Sequence, residues 1–352
     1  MIVKNKVESL QIIRAFAAVL VTICHIWNDG WLPIEFTNLG GFGVDLFFVL
    51  SGFIMCLTVK LNIGSKYLNA KYFLNKRIIR IFPIYILCAF PLLLFNIKAE
   101  GIKSSFFYIG NLFLLPSFNN DVNYAFVLGT GWTLAYEMLF YYIFAFFILI
   151  TGSKFRLLVL SSIFLCSLVL IVNVFGFKGG QLRWVNFSYI IGDTLLLNFV
   201  LGIICYFIYI ELKDRIFLNY FHSLLLLAIL SVLAAYLNTL DSLPRIISFG
   251  LPAFVIVSFF TLTRNNLNNS WLLKKIVFIG DASYSIYLTH FYFAFFKPKV
   301  LLVAKHIDLE FNVLINIIDV LLLVGAVACG CLFYIIIEKP IIKYTSRGVI
   351  AR

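Results

Sequence analysis

The chain has few charged residues for its length. Only 12% of its 352 residues are Asp, Glu, Lys or Arg, whereas a soluble globular domain usually carries about 25%. Hydrophobic residues make up 62% and the mean hydropathy is +1.00, so polar groups are too scarce to cover a soluble surface. A soluble single-core enzyme is therefore excluded. Because the apolar runs are continuous rather than alternating, a closed β-barrel is excluded too, and the sequence predicts an all-α, polytopic transmembrane helical bundle.

The sequence also lacks the patterns typical of a metal centre, a disulfide framework or an appended soluble domain. Its seven cysteines have no metal-type spacing and are interpreted as packing residues in apolar stretches. A cleavable signal peptide is not expected, because Arg14 interrupts the first apolar run and no small-residue cleavage site follows it. We therefore predict one membrane-embedded domain over residues 1–352, with no metal and no permanently bound cofactor.

Ten apolar segments are long enough to cross a bilayer, which takes about 20 residues. They are predicted at 10–29, 41–59, 81–97, 131–150, 157–176, 187–210, 220–238, 246–263, 276–296 and 312–337. With both termini in the cytoplasm, most of the 28 Lys and Arg lie on the cytoplasmic side, as the positive-inside rule requires. A crossing by the short segment 106–118 would divide them almost evenly. We therefore expect ten spans and place 106–118 at the outer interface.

The charge balance is basic, with 28 Lys and Arg against 16 Asp and Glu, a net charge of +12. In a soluble domain this excess would indicate nucleic-acid binding. Here the basic residues lie between apolar segments, which is typical of membrane topology and of attraction to anionic lipid headgroups. The expected partners therefore include membrane lipids and exclude nucleic acid.

Ionisable side chains inside membrane spans are rare, and they usually mark a functional path or a paired structural site. The predicted spans contain Arg14, His25, Asp29, Asp45, Glu137, Asp193, Asp281, His290 and Asp319. Most of these lie near span ends, where the side chain can reach the interface. The candidates that remain are Arg14, His25, Asp45 and Glu137.

Arg14 and His25 are eleven residues apart on one predicted helix. At about 100° per residue both side chains point the same way, and at 1.5 Å per residue they stand about 16 Å apart along the axis. This arrangement suits a cation that grips an anionic group at one end and an imidazole that handles a proton at the other. Two helix–helix hydrogen bonds are an equally good interpretation of the same spacing.

Two acidic residues have competing interpretations. Asp45 follows Gly40, Gly41 and Gly43 at the start of a span, where it could organise a site or simply accept hydrogen bonds from helix amides. Glu137 lies among aromatic residues and must be protonated, hydrogen-bonded or paired. It could orient His25 catalytically, or it could tie its span to a neighbour through a partner such as Arg14.

A third candidate is the basic segment KYFLNKRIIRIFP, in which Arg77 and Arg80 share one face of a short predicted helix next to Pro83. Paired guanidinium groups suit phosphate recognition, because each can bind two oxygens. Positive charges that merely set membrane topology are the simpler interpretation of an isolated pair.

The chain resembles the acyltransferase-3 family of integral-membrane O-acyltransferases. Four ordered blocks and a terminal tripeptide carry the resemblance: LQIIRAFAAVLVTICH (10–25), GGFGVDLFFVLSGF (40–53), GWTLAYEMLFYY (131–142), IGDASYSIYLTH (279–290) and EKP (338–340). They extend over nearly the whole chain, and together they are far more specific than any one block. The family's arginine–histidine pair matches Arg14 and His25, and its RxxR element matches Arg77 and Arg80.

This resemblance implies transfer of an acyl group, most often acetyl, from acyl-CoA as donor substrate to a sugar hydroxyl of a cell-surface polysaccharide. Acceptors of this class include the O-antigen of lipopolysaccharide and exopolysaccharide, and the location that the resemblance implies is the bacterial cytoplasmic (inner) membrane. In this interpretation His25 and Glu137 are catalytic, and Arg14, Arg77 and Arg80 bind the donor. The residues expected to bind substrate or organise the site are Asp45, Ser51, Trp132, Tyr287 and His290.

Two departures from the family pattern and one rival function remain. Leu10-Gln11 stands where many members have Leu-Asp, so no acid lies just ahead of Arg14. The C-terminal hydrolase-like domain of some members is not expected in a chain that ends at Arg352. The rival is a transporter or flippase of a lipid-linked glycan, which predicts internal repeats or broken helices.

Overall fold

The computed structural model describes residues 2–27, 31–118, 121–240, 242–263, 271–304 and 310–350. Asp29, one of the predicted in-span charges, lies outside these ranges. The described residues form α-helices and short helical turns and no named strand, which confirms the all-α prediction. The helices are α1 Ile2–Ile26, α2 Ile34–Thr37, α3 Gly40–Thr58, α4 Lys66–Glu100, α5 Ser105–Phe113, α6 Gly131–Ile150, α7 Lys154–Val174, α8 Phe187–Ile191, α9 Leu197–Leu212, α10 Tyr220–Asn238, α11 Leu251–Leu262, α12 Trp271–Asp281, α13 Ser283–Ala304, α14 Phe311–Phe333 and α15 Lys339–Ile350.

Eight helical segments in the described part of the chain are long and apolar enough to cross a membrane. They are Glu8–Ile26, Ile34–Thr58, Lys66–Glu100, Gly131–Ile150, Lys154–Val174, Thr194–Leu212, Tyr220–Asn238 and Asn312–Tyr344. Each corresponds to a span predicted from the sequence. The predicted span 246–263 is a shorter apolar helix, Ile246–Leu262, whose first turn is π-helical. The chain is therefore a multi-pass membrane protein.

Two predicted spans are not continuous helices. The span predicted at 276–296 is divided at Ala282, where α12 ends and α13 begins. The span predicted at 187–210 is interrupted at Gly192, and Asp193 then caps the next turn by accepting a hydrogen bond from the Leu195 amide at 3.1 Å. A hydropathy window averages over such breaks, because one glycine or aspartate changes its mean very little.

The helices around 66–118 also differ from the prediction. α4 has 35 residues, about 52 Å of helix, and both Pro83 and Pro91 lie inside it. The predicted short helix for Arg77 and Arg80 is therefore wrong, since both residues belong to α4. α5 has nine residues, about 14 Å, and ends where Leu114 takes a left-handed conformation, so the segment 106–118 is too short to cross.

The chain divides into two compact units. The first contains Met1–Leu50 and Ile204–Ile336, and the second contains Ser51–Ile203 and Ile337–Arg352. Within the first unit, α1 packs against α11, α12, α13 and α14. Within the second, α6 packs against α4 and α7, and α4 also contacts α5 and α15. The prediction of a single membrane domain is not tested by this division into units.

Close backbone approach explains the position of the glycines at the start of α3. A Cβ on Gly40 would lie 2.3 Å from Cβ of Cys24, and a Cβ on Gly43 would lie 2.7 Å from the Ala17 carbonyl oxygen. Only glycine fits at such distances. These two residues therefore allow α3 to pack directly against the second half of α1, beside the residue that precedes His25.

Candidate active site

In the first unit, the fold brings two histidines together. His25 lies in the last turn of α1, and His290 lies near the middle of α13. Nε2 of His290 is 3.3 Å from Nδ1 of His25, and the ring centroids are 5.1 Å apart. His290 is fully buried, whereas His25 is exposed. His290 is therefore shielded by the surrounding helices, whereas the His25 ring is accessible from outside the protein.

The hydrogen bonds of the pair define which nitrogen carries each proton. Nδ1 of His25 lies 2.9 Å from the Val21 carbonyl oxygen, and Nδ1 of His290 lies 3.1 Å from that of Ile286. Because a carbonyl oxygen only accepts, each Nδ1 must carry hydrogen. The His25 Nδ1–H therefore also points to the unprotonated Nε2 of His290. This assignment leaves Nε2 of His25 with a lone pair, the form that a general base requires.

The other expected residues of the first unit surround this pair to different degrees. The Tyr287 ring is 5.9 Å from that of His290 and makes an edge contact with Phe47 of α3, also at 5.9 Å. Arg14 is half-buried and lies eleven residues before His25 on the same helix α1, as the spacing predicted.

Asp45 is satisfied by an arginine rather than by helix amides alone. Its fully buried carboxylate accepts hydrogen bonds from Nε and Nη2 of Arg245, at 3.1 and 2.7 Å. Nη2 of Arg245 also donates to the Gly41 carbonyl, at 2.9 Å. The ion pair therefore joins the start of α3 to the residue that precedes the π-helical turn before α11. In the sequence, Arg245 was counted only as a loop residue.

In the second unit, Glu137 is held by two hydroxyl groups. Its Oε1 accepts a hydrogen bond from Ser51 Oγ at 2.7 Å and a very short one from Tyr141. The two hydroxyls are themselves 3.4 Å apart. Ser51 belongs to α3, so this cluster ties α6 to the second half of that helix. Tyr141 was missed in the sequence, although it lies four residues after Glu137 and hence on the same helix face.

Arg77 is buried beside the same cluster. It is 8% exposed, and its Nη2 donates to Thr58 Oγ1 at 2.9 Å. The guanidinium lies over the rings of Phe73 and Tyr141, with Cζ 5.5 and 5.7 Å from their centroids. No carboxylate lies within salt-bridge distance of it among the described residues. Arg80, one turn later, is half-buried.

Trp132 stacks on a second tryptophan in the same unit. Its ring lies 5.0 Å from that of Trp184 at an angle of 28°, and its edge meets Tyr136. The Tyr136 hydroxyl donates to buried Asp193 at 2.8 Å. These contacts place Trp132 in an aromatic cluster that joins the start of α6 to the segment before α8.

The described residues contain no group of three or more His, Cys, Asp or Glu side chains that could hold a metal ion. The seven cysteines are free thiols.

Comparison with known proteins agrees with the four sequence blocks. The acyltransferase-3 family model, described as an acyltransferase domain, matches residues 7–336. The chain is 28% identical over 362 residues to the O-acetyltransferase OatA of Staphylococcus aureus strain NCTC 8325, covering 94% of this chain and 56% of that protein. A second protein, of strain COL, whose O-acetyltransferase name is itself provisional, is 26% identical over 369 residues, with coverage of 96% and 57%. The chain thus spans little more than half the length of these relatives. No solved structure matches.

Proposed function

The chain belongs to the acyltransferase-3 family, and on that basis we propose that it is a membrane O-acetyltransferase. The donor in this proposal is acetyl-CoA, and the acceptor is a sugar hydroxyl of a cell-surface polysaccharide such as O-antigen or exopolysaccharide. The relatives named as O-acetyltransferases support the reaction type. The observation that carries the proposal is the histidine pair, which leaves a lone pair on the exposed His25.

The proposed reaction uses His25 as a general base. A sugar hydroxyl is a weak nucleophile, and Nε2 of His25 takes its proton as the oxygen attacks the thioester carbonyl carbon. A carbon–oxygen bond forms, and collapse of the tetrahedral intermediate breaks the carbon–sulfur bond. The proton held on His25 then passes to the departing sulfur. The products are the acetyl ester and free coenzyme A.

His290 and the end of α1 would stabilise the protonated His25. When Nε2 takes a proton, Nδ1–H of His25 still donates to Val21 and to Nε2 of His290. The last turn of a helix also carries partial negative charge on its carbonyl groups, which favours a nearby cation. In this role His290 is a positioning residue, because it acts on the substrate only through His25.

We assign binding of the donor, acetyl-CoA, to three arginines. The diphosphate and the 3′-phosphate of coenzyme A need cations, and Arg77 has no carboxylate within salt-bridge distance among the described residues. Guanidinium groups match the geometry of phosphate oxygens. We assign Arg77 and Arg80 to donor phosphates at the cytoplasmic face, and Arg14 to the donor as well.

Glu137 and the remaining residues have organising roles in this proposal. The hydroxyls of Ser51 and Tyr141 fix one carboxylate oxygen of Glu137. A fixed carboxylate can stabilise a histidinium, and this is the catalytic role we assign to it. Asp45 and Tyr287 hold α3 and α13 in place, and Trp132 offers an aromatic surface of the type that packs against sugar rings.

The localisation that accompanies this function is the bacterial inner membrane with both termini in the cytoplasm. The number and length of the apolar helices support a multi-pass membrane protein. Cysteine-accessibility labelling of residues near Glu8 and Lys343 checks the orientation of the ends. Labelling of either residue from the periplasmic side would contradict it.

Two measurements test the function. Membranes that contain the chain should transfer label from acetyl-CoA to a polysaccharide acceptor, whereas membranes without it should not. NMR of the surface polysaccharide should show an O-acetyl signal that disappears when the gene is deleted. Unchanged O-acetylation after deletion, together with no transfer in membranes, would refute the proposal.

A glycan flippase remains the second candidate because it predicts broken helices. Helical breaks do occur, at Gly192 and at Ala282. The ordered family blocks and the histidine pair favour the enzyme. Flipping of a labelled lipid-linked glycan by reconstituted protein without acetyl-CoA would favour the flippase instead.

A further inference from the structure

The end of α1 that carries His25 is held by a second residue of α13, a buried lysine. Lys297 is 7% exposed, and its Nζ donates to the Ile26 carbonyl oxygen at 2.6 Å. Ile26 follows His25 and is the last residue of α1. The last carbonyl groups of a helix lack partners inside the helix, so this contact satisfies one of them.

His290 and Lys297 act from one face of the same helix. They are seven residues apart, which is nearly two complete helical turns, so both side chains project in almost the same direction about 10 Å apart. His290 meets the ring of His25, and Lys297 meets the carbonyl group of the next residue. One face of α13 therefore holds both the side chain and the backbone at the end of α1.

An aspartate on α14 neutralises the lysine. Oδ1 of Asp319 lies 2.7 Å from Nζ of Lys297, and the carboxylate is fully buried. A lone ammonium group in this surrounding would be very unfavourable, and the carboxylate offsets part of that cost. The pair thus allows a full positive charge to reach the Ile26 carbonyl inside the packed helices.

A neighbouring residue on α14 holds the chain just beyond α1. Asn316, one turn before Asp319, accepts hydrogen bonds from Trp27 Nε1 at 3.2 Å and from the Trp31 amide at 2.8 Å. Its amide nitrogen donates to the Asn312 carbonyl at 2.6 Å. Contacts from two helices therefore hold the last turn of α1 and also Trp27 and Trp31.

We propose that Lys297 and Asp319 form a positioning pair for His25: Lys297 holds the Ile26 carbonyl, and Asp319 holds Lys297. The proposal rests on the proposed role of His25 as the general base. Without Lys297, the Ile26 carbonyl loses its donor and the last turn of α1 frays. The His25 ring then leaves the geometry in which Nδ1–H points to Val21 and His290.

Histidine NMR tests the pair directly, because the chain contains only four histidines. In protein labelled with ¹⁵N-histidine, the His25 signals are identified by their absence from the His25→Ala variant. They should report hydrogen on Nδ1 in the unmodified chain. In the Lys297→Met variant, measured without substrate, the His25 signals should change to those of a mixture of the two neutral tautomers.

Kinetics provide the second readout. We expect Lys297→Met to lower kcat about 10- to 100-fold, as expected for a misplaced catalytic group, while KM for acetyl-CoA stays nearly constant. Lys297→Arg keeps a buried cation with donor groups and should retain more of kcat than Lys297→Met. Lys299→Met is the matched control, since Lys299 lies two residues later on α13 and is exposed.

The outcomes separate this proposal from its premise. Unchanged His25 signals in folded Lys297→Met protein would overturn the pair, as would activity lost only in proportion to folded protein. Altered His25 signals in a chain that transfers no acetyl group would support the pair and refute the proposed function. If Lys297→Met does not fold, the double variant Lys297→Met with Asp319→Leu removes both charges and must show the same signal change.

Discussion

The two compact units hold their buried and half-buried ionisable groups with different partners. In the first unit, opposite charges meet: Asp45 pairs with Arg245, and Lys297 pairs with Asp319. In the second unit, hydroxyl groups form hydrogen bonds with the ionisable side chains. Ser51 and Tyr141 hold Glu137, Thr58 holds Arg77, and Tyr136 holds Asp193.

This difference separates groups that have an opposite charge at salt-bridge distance from groups that hydroxyls orient. An ion pair has little net charge left to attract a ligand, so its effect is mainly to fix the helices that carry it. A charge held by a hydroxyl is oriented but not neutralised, and in a low-dielectric surrounding it still attracts an opposite charge strongly. In the proposed function, the hydroxyl-held Arg77 therefore serves an ionic substrate, and the ion pairs of the first unit fix the helices around His25.

The largest loss of activity is expected from a change of His25. This residue lies in the first unit but belongs to neither of its two ion pairs. His25→Ala should lower acetyl transfer by about 10²- to 10⁴-fold, the usual contribution of general acid–base catalysis, because no other base takes the hydroxyl proton. His222→Ala is the matched control, since His222 is exposed near the start of α10. Near-normal turnover in a folded His25→Ala variant would remove His25 from the mechanism.

Glu137→Gln tests whether a carboxylate held by hydroxyls is catalytic. Gln keeps the shape and one oxygen that can accept from Ser51 and Tyr141, but it removes the charge. A catalytic carboxylate predicts normal thermal stability, near-normal donor binding and a large loss of turnover. A lower melting temperature with full activity per folded molecule would indicate a structural role instead.

Asp45→Asn tests the paired charges of the first unit. Removing one partner of a buried ion pair typically costs about 3–5 kcal/mol, because the other charge stays without compensation. We therefore expect a clear fall in melting temperature, and a partial recovery when Arg245→Met is added. Glu211→Gln, which breaks an exposed pair with Arg215, should change stability very little. An equal effect of both single variants would contradict the stabilising role assigned to the buried pair.

The sequence predicted much of this architecture, because bilayer thickness alone fixes the length of an apolar helix. It also placed Arg14 and His25 correctly on one helix, since their spacing is local. It could not pair Asp45 with Arg245, because 200 residues separate them and no local pattern links their positions. Lys297 was missed for a similar reason: it lies one residue beyond the predicted span 276–296, and only packing of α14 against α13 shows that it is buried.

Arg77→Gln tests the hydroxyl-held cation of the second unit. Loss of a charged hydrogen bond to a phosphate typically costs about 1.5–3 kcal/mol, so Kd for acetyl-CoA should rise clearly while acceptor binding changes little. Arg215→Gln is the control, because Arg215 is an exposed arginine in an i,i+4 pair. An unchanged donor Kd in both Arg77→Gln and Arg80→Gln would restore the interpretation that these residues only set topology.

The smallest expected effect comes from Thr58→Val, which removes the hydroxyl that orients Arg77 but leaves the guanidinium and its aromatic contacts. The bond has a charged donor, and loss of such a bond typically costs about 1.5–3 kcal/mol; we expect about 1 kcal/mol here, because the aromatic contacts of the guanidinium remain. If Arg77 is held in place for donor phosphates, that amount should appear in the Kd for acetyl-CoA, because a less ordered guanidinium must be fixed on binding. If Arg77 only stabilises the packing of α4 against its neighbours, the same amount should be lost from the free energy of unfolding, which lowers the melting temperature and leaves donor affinity unchanged.

Thr239→Val, at an exposed threonine after α10, controls for loss of a hydroxyl elsewhere. A change in Kd without a change in stability would thus identify the Thr58–Arg77 contact as preorganisation of a binding group, and the reverse would place it among the structural contacts.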